Sequence, residues 1–227
     1  MINFQNRKII STLDGSSTVK LSESEECFHS VNGALNESIH IFINNGLLYK
    51  VNALTKINII EVGMGTGLNV LLTIREAINR KLAINYTAYE LYPLTLSEAS
   101  KLNYNTIVNF PGCNEFLKLI HETAFNKAIN IGNNFKLLKK QEDVCSADFL
   151  GNAFDLIYFD AFSPAIQPEL WSQNIFSKIY ESSAPNAALL TYSSKGTVKR
   201  ALKAAGFMVE KLPGPTGKRE IIRAIKK

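Results

Sequence analysis

Three observations predict a doubly wound α/β domain. From Ile57 onward, strand-like apolar runs alternate with stretches of helical periodicity. A glycine-rich loop joins the first of these runs to the first helix, and the last two runs flank a Gly/Pro/Lys turn. Such alternation builds a mostly parallel sheet with helices on both faces, and the closing pair adds an antiparallel C-terminal edge hairpin. The 227 residues suffice for one sizeable core with an appendage. The expected division is an N-terminal β-rich arm or hairpin over 1–55, packed on a main domain over 56–227.

The arm is read from turn signals at Asp14-Gly15-Ser16, Asn32-Gly33 and Asn44-Asn45-Gly46, between β-like runs such as SIHIFINNG. In the main domain, KINIIEVG (56–63) reads as a strand, GLNVLLTIREAINRK (67–81) as a helix and INYTAYEL (84–91) as a strand. Pro93 and Thr95 are start signals for a helix in TLSEASKLN, and NEFLKLIHETAFNKAI (114–129) has the three- and four-residue spacing of an amphipathic helix. NFKLLKKQEDV follows as a strand. The near-continuous apolar run of FDLIYFDAF (154–162) marks a strand buried on both faces. AALLTYSS is a further strand, GTVKRALKAAG a helix, and FMVEKLP and REIIRAIK are the hairpin.

Composition narrows the function classes. No run approaches the ~20 apolar residues of a membrane span, and the N-terminus lacks a signal-peptide pattern. Cys27, Cys113 and Cys145 are too scattered for a zinc or dithiol motif. A cytoplasmic protein with reduced thiols and no metal site is expected. The +5 net charge is uneven: from Lys195 to Lys227 ten Lys/Arg stand against two Glu, while the rest carries 15 basic and 18 acidic groups. A basic end on a mildly acidic body fits a polyanionic partner, and equally a solvated helix face and tail.

The glycine loop in NIIEVGMGTGLNVLL narrows the ligand. A triphosphate loop would need a Lys-Ser/Thr that does not follow here, and a dinucleotide loop spaces its glycines as Gly-x-Gly-x-x-Gly. Here they stand at Gly63, Gly65 and Gly67 behind an acid, Glu61. That spacing resembles the cofactor loop of Rossmann-like class I methyltransferases, whose cofactor carries an ammonium and a sulfonium; a carboxylate suits these and would repel a pyrophosphate. Glu90 ends the next strand, where both of its oxygens can accept from ribose hydroxyls, and Asp143 ends the third. Acids at successive strand ends, where ligands bind in such sheets, point to S-adenosylmethionine (SAM).

The spacing Glu61-x-Gly63-Met64-Gly65-x-Gly67 resembles motif I of Rossmann-like class I SAM-dependent methyltransferases. EVGMGTGLNVLL, FDLIYFDAFSPAIQPELWS, LLTYSSKGTVKRALKAAGF, GPTGKREIIRA and the arm segment FHSVNGALNESIHIFINNGLL together resemble the methyltransferase domain of the tRNA 5-methylaminomethyl-2-thiouridine biosynthesis (MnmC) family. The likeness covers nearly the whole chain; Met64 replaces the aromatic usual between the first two glycines. It implies N-methylation, with SAM, of the 5-aminomethyl group of wobble (2-thio)uridine in tRNA. Glu61, Gly63, Met64, Gly65, Gly67, Glu90 and Asp143 would bind the cofactor, Asp143 at the adenine amino group. Many members carry a fused oxidase; with none here, a standalone transferase is expected.

Asp160, at the fourth strand end, is the expected catalytic carboxylate, aiming the amine and stabilising the developing ammonium. Phe162 could stack on a splayed base, and with Pro164 and Tyr192 is assigned to the acceptor pocket. Trp171 and Ser193 are read as packing and pocket lining. Lys218 and Arg219, in the hairpin turn, would meet phosphates of the anticodon arm. His29 and Glu37 could cover the cofactor from the arm. Three alternatives remain: a same-fold enzyme methylating a small amine or a protein, a related aminopropyltransferase, and a non-catalytic RNA-binding protein.

Overall fold

In the computed structural model, residues 3–4, 6–51, 53–149 and 153–227 are described; positions 1, 2, 5 and 52 of the expected arm lie outside them. Two short strands, β1 (Arg7–Ser11) and β2 (Ser17–Leu21), pair antiparallel as a separate hairpin. The main sheet holds β3 (Lys56–Val62), β4 (Ala83–Tyr89), β5 (Ala128–Ile131), β6 (Phe135–Lys140), β7 (Phe154–Phe159), β8 (Ser183–Thr191), β9 (Met208–Pro213) and β10 (Glu220–Ile225). Their order is β5-β6-β4-β3-β7-β8-β10-β9. The five central strands are parallel, and both edges are closed by antiparallel partners. The chain leaves β3 first toward β4 and β6, then returns to β7 on the other side. That reversal at the carboxyl ends of β3 and β7 is where such sheets open a ligand crevice.

The helices follow from apolar stripes. α1 spans 34–51, α2 is Leu68–Arg80, α3 Cys113–Glu122, α4 Gln173–Glu181 and α5 Gly196–Ala204. α2 and α1 cover one face of the sheet, where Ile57 and Ile59 of β3 meet Leu71 and Ile74 of α2 and Phe42 and Leu47 of α1. α4 and α5 cover the other, where Ile60 and Val62 share a cluster with Phe176, Ile179, Val198 and Leu202. Successive side chains of a strand point to opposite faces, so one run feeds both cores. Thr95 starts a helix as expected, forming a capping box with Glu98, but that helix lasts one turn, Leu96–Ala99.

Two expected elements are corrected. SIHIFINNG is not β-like: it lies in α1, whose stretch Ile39–Leu47 is π-helical. Alternating isoleucines mimic a strand, but packing on β7, β8, β10 and α2 buries Ile41, Phe42, Ile43 and Leu47 on one helical segment. Gly46 lets that segment approach the sheet closely: a Cβ there would stand 3.2 Å from Leu190 Cδ2. The helix expected over 114–129 ends at Glu122; Thr123 turns extended, Asn126 is left-handed, and residues 128–131 form β5, hairpinned to β6. No helix among the described residues is long and apolar enough to cross a membrane.

Candidate active site

A cavity of about 460 Å³ opens over the carboxyl ends of the parallel strands, within the size range of small-ligand sites. The loop after β3 forms its floor. Gly63 (φ +86°) is held by its N–H donating to Tyr89 O at 3.0 Å, and a Cβ there would meet Asp160 O at 2.6 Å. Gly65 and Met64 also line the cavity. Gly67 does not: with φ +73° it starts α2, and a Cβ would press on Ile120 at 2.8 Å. Its requirement is close helix packing rather than ligand contact. Thr66 pins the loop to three elements, with His29 Nε2 at 2.8 Å and Tyr104 Oη at 3.0 Å from its hydroxyl, and His121 Nε2 at 3.1 Å from its carbonyl.

Glu90 stands at the end of β4 and lines the cavity. Its Oε2 accepts from Gly65 N–H and its Oε1 from Tyr92 N–H, both at 2.8 Å. With the Leu91 amide also acting on this carboxylate, it keeps lone-pair capacity for a ribose hydroxyl while holding the loop. Burial raises its pKa above the ordinary value, and the amides pull the other way. Glu90→Ala is expected to weaken SAM binding by about 10- to 100-fold, the loss from charge-assisted hydrogen bonds, measured by calorimetry. Unchanged affinity would remove Glu90 from the cofactor site. Asp143 lines the same cavity, exposed, three residues past β6 rather than at its end; its Oδ1 accepts from Cys145 N–H at 2.8 Å.

Glu61 is a correction. Alternation along β3 sends it, with Ile57 and Ile59, toward the α2 face, where it is wholly buried and outside the cavity lining. Its Oε1 accepts from Asn69 Nδ2 at 2.9 Å, and burial pushes its pKa well up. The same Nδ2 donates to Asp160 Oδ2 at 3.0 Å. Glu61 therefore supports the site from below through Asn69.

Asp160 follows the last residue of β7 and lines the cavity, its pKa pushed up to about 8, chiefly by burial, with Glu37 adding repulsion and the Asn69 bond and Lys218 opposing. Beside it Tyr192, after β8, donates its hydroxyl to Ala161 O at 3.0 Å. Phe162 lines the cavity, but its ring is engaged by the arm: Phe28 meets it edge-on at 5.1 Å and Phe4 at 5.3 Å, with Phe4 stacked on Tyr92 at 4.7 Å. It is part of a roof, and a splayed base could reach only what the roof leaves bare. Pro164 is not among the lining residues; Ser163, Ile166 and Gln167 are. Trp171 is packing, buried against Phe159 and donating to Phe162 O at 2.8 Å. Ser193 is buried and lies outside the lining.

Lys218 is also corrected. It turns inward, 2.7 Å from Glu37 Oε1 and 4.2 Å above the Tyr192 ring, and lines the cavity where a phosphate contact was expected. Glu37 anchors the arm in turn by accepting from Ser30 N–H at 2.7 Å. Arg219, next door, stays exposed. His29, buried and lining, has its pKa lowered to about 4 by burial, so it is neutral at physiological pH. The arm thus supplies much of the wall, through Phe4, Phe28, His29, Glu37 and Glu26, the last accepting from Ser163 at 3.0 Å. A clamp from Arg7 to both oxygens of Glu98 and to the carbonyls of Tyr92 and Pro93 ties it down. Of these only His29 and Glu37 were weighed from sequence; the others carry no local signal.

Charge sums the site up. Among the described residues, Glu25, Glu26, Glu37, Glu90, Glu142, Asp143, Asp160 and Glu169 line the cavity against a single cationic side chain, Lys218. Such a chamber favours ligands bearing positive charge, as SAM and a protonated amine do, and disfavours phosphate. Among the described residues no three His, Cys, Asp or Glu side chains converge to hold a metal ion.

Comparison with known proteins agrees with this geometry. Residues 99–227 match a family model described as S-adenosyl-L-methionine-dependent methyltransferase. The tRNA 5-methylaminomethyl-2-thiouridine biosynthesis bifunctional protein MnmC of Azoarcus sp. (strain BH72) is 31% identical over 212 residues, covering 87% of this chain and 32% of that protein. Its counterpart in Nitrosospira multiformis is 30% identical over 232 residues, 98% of this chain and 36% of the other. The chain therefore spans about a third of the length of these curated relatives. Among solved structures, MNMC2 from Aquifex aeolicus superposes with a TM-score of 0.80 at 26% identity, covering 97% of this chain and 70% of that one.

Proposed function

This chain belongs to the S-adenosyl-L-methionine-dependent methyltransferase family, and from that premise we propose that it N-methylates the 5-aminomethyl group of wobble (2-thio)uridine in tRNA. The observation that carries the reading is Asp160: a carboxylate of raised basicity at the end of β7, over the glycine loop, in a chamber built for cations. The likeness to MnmC proteins supplies the acceptor class.

When bound, SAM supplies a methyl group on a positively charged sulfur. The chain's part is to present a neutral nitrogen to it. A primary amine arrives mostly as ammonium, with a pKa of about 10 in water. Asp160, raised toward that range, accepts one proton and exposes the lone pair. The carbon–nitrogen bond then forms as the carbon–sulfur bond breaks, sulfur keeping the electron pair. Asp160, once its proton has passed to water, and Glu37 face the new positive charge as it develops.

Phosphates are left to the outer surface. Lys211 bonds Glu220 at 3.0 Å, and the charges of Lys199 and Arg219 act on the same carboxylate, so three cations surround one acid beside the hairpin turn. Replacing Lys199 and Arg219 by alanine is expected to weaken tRNA binding and to flatten its log–log salt dependence by about two, with SAM affinity unchanged. Filter binding across a salt series measures both; an unaltered slope would move the RNA surface elsewhere.

The deciding experiment for the function is transfer of labelled methyl from SAM to tRNA purified from cells blocked at the final modification step. Label at the wobble uridine is expected. Tight SAM binding with unlabelled tRNA would sink the acceptor assignment.

A further inference from the structure

We propose that Asn69 is a positioning residue: its side-chain amide clamps Oδ2 of Asp160 and so turns Oδ1 toward the acceptor nitrogen. The inference rests on the reading of Asp160 as the acceptor-facing carboxylate.

Asn69 is the second residue of α2, directly after the turn that Gly67 permits, and it is buried. One nitrogen serves two carboxylates, Glu61 Oε1 at 2.9 Å and Asp160 Oδ2 at 3.0 Å. An amide nitrogen has two hydrogens, so both bonds are made at once, and the reversed amide would set an oxygen against two oxygens. The orientation is therefore fixed by its partners. No protein donor bonds Oδ1 of Asp160 among the described residues, which leaves that oxygen for a ligand.

The arrangement carries a cost. Asn69 Oδ1 and Glu61 Oε2 are buried without a hydrogen-bond partner. Bare buried acceptors are unfavourable, and an apolar residue at position 69 would remove its own but would strip Glu61 Oε1 and Asp160 Oδ2 of their donor. Thr73 secures the helix turn by donating to Asn69 O at 2.7 Å. The result is that the loop cradling the cofactor and the carboxylate aiming the acceptor are registered by one helix start.

Asp160 is faced by Glu61 and Tyr86 from β3 and β4, Glu37 from α1, Tyr192 after β8 and Lys218 from the hairpin turn. Among these neighbours Asn69 is the neutral group donating to the charged form. Its removal therefore raises Asp160's pKa further.

The test uses Asn69→Leu, similar in volume and without a donor, and Asn69→Ser, smaller and keeping one donor. For Asn69→Leu, kcat is expected to fall by about 10- to 100-fold with KM for SAM within about threefold. The acidic limb of the kcat–pH profile is expected to move up by about one unit. Asn69→Ser is expected to fall between it and wild type. The Asp160 carboxyl carbon, followed by NMR titration of the SAM complex without acceptor, is expected to move the same way. A loss of kcat with an unmoved pH profile and unmoved titration would overturn the proposal and leave Asn69 as packing, as would unchanged kcat. If wild type methylates no tRNA while the carbon titration still moves, the acceptor reading fails and the clamp stands.

Discussion

Asp160→Asn is expected to lower methyl transfer to tRNA by about 1,000-fold while leaving SAM affinity within a few-fold, the range associated with removing a positioned base. The amide keeps the shape but can neither take the proton nor offset the developing charge. Wild-type kcat is expected to rise with pH through about 8, because only the ionised carboxylate accepts the proton, and to level above it. The same group makes a stability prediction. A carboxyl whose pKa is about 8 in the fold and near 3.8 when unfolded binds its proton more tightly in the native state. Native stability from this group is thus whole below about pH 4 and lost as pH rises toward 8. Asp160→Asn removes that loss, so without cofactor the inactive variant is expected to melt higher than wild type at pH 8 and at the same temperature at pH 4. Single-turnover rates, calorimetry and melting curves check the three parts. Retained activity would deny Asp160 its role, and a variant less stable at pH 8 would deny its burial.

Gly63→Ala is the second large effect. The backbone there has φ +86°, and the added carbon would lie 2.6 Å from Asp160 O, a main-chain atom that cannot swing aside. Strain of this kind costs about 3 kcal/mol, roughly 6–12 °C of melting temperature for a domain this size. Because the clash pushes on Asp160 itself, catalysis is expected to fail along with cofactor binding. Melting curves and SAM titration in the same samples measure both. A stable variant with normal affinity would mean that the loop is free to take another path.

The parts of this architecture that the sequence made legible are those written locally. Apolar runs such as NIIEV and LIYF mark buried parallel strands, three glycines mark a loop too tight for side chains, and the acids beyond β4 and β7 fall where the sheet opens. What escaped depends on distant partners. Lys218 looked like a surface charge until Glu37, far away in the chain, drew it inward. Asn69 is unremarkable beside Leu68 and Val70 until β7 brings Asp160 to it. The roof of Phe4, Phe28 and Phe162 is made of residues far apart in the chain, beside the point where Arg7 pairs with Glu98. Secondary structure failed for the same reason. The isoleucines of α1 alternate as in a strand, and only the sheet surface beneath them, including Leu190 against Gly46, decides for a helix.

The lopsided charge of the chamber bears on turnover. Its eight carboxylates and one lysine hold a cation at sulfur before the reaction. Once the methyl group has moved, the sulfur is a neutral thioether and the positive charge sits on nitrogen beside Asp160. The spent cofactor keeps its ammonium but has lost the sulfonium charge, so the acidic lining attracts it less. On the proposed reaction, the methylated amine stays attracted to the lining until its extra proton escapes to water. On that reaction, this electrostatic asymmetry predicts that the spent cofactor leaves before the methylated product.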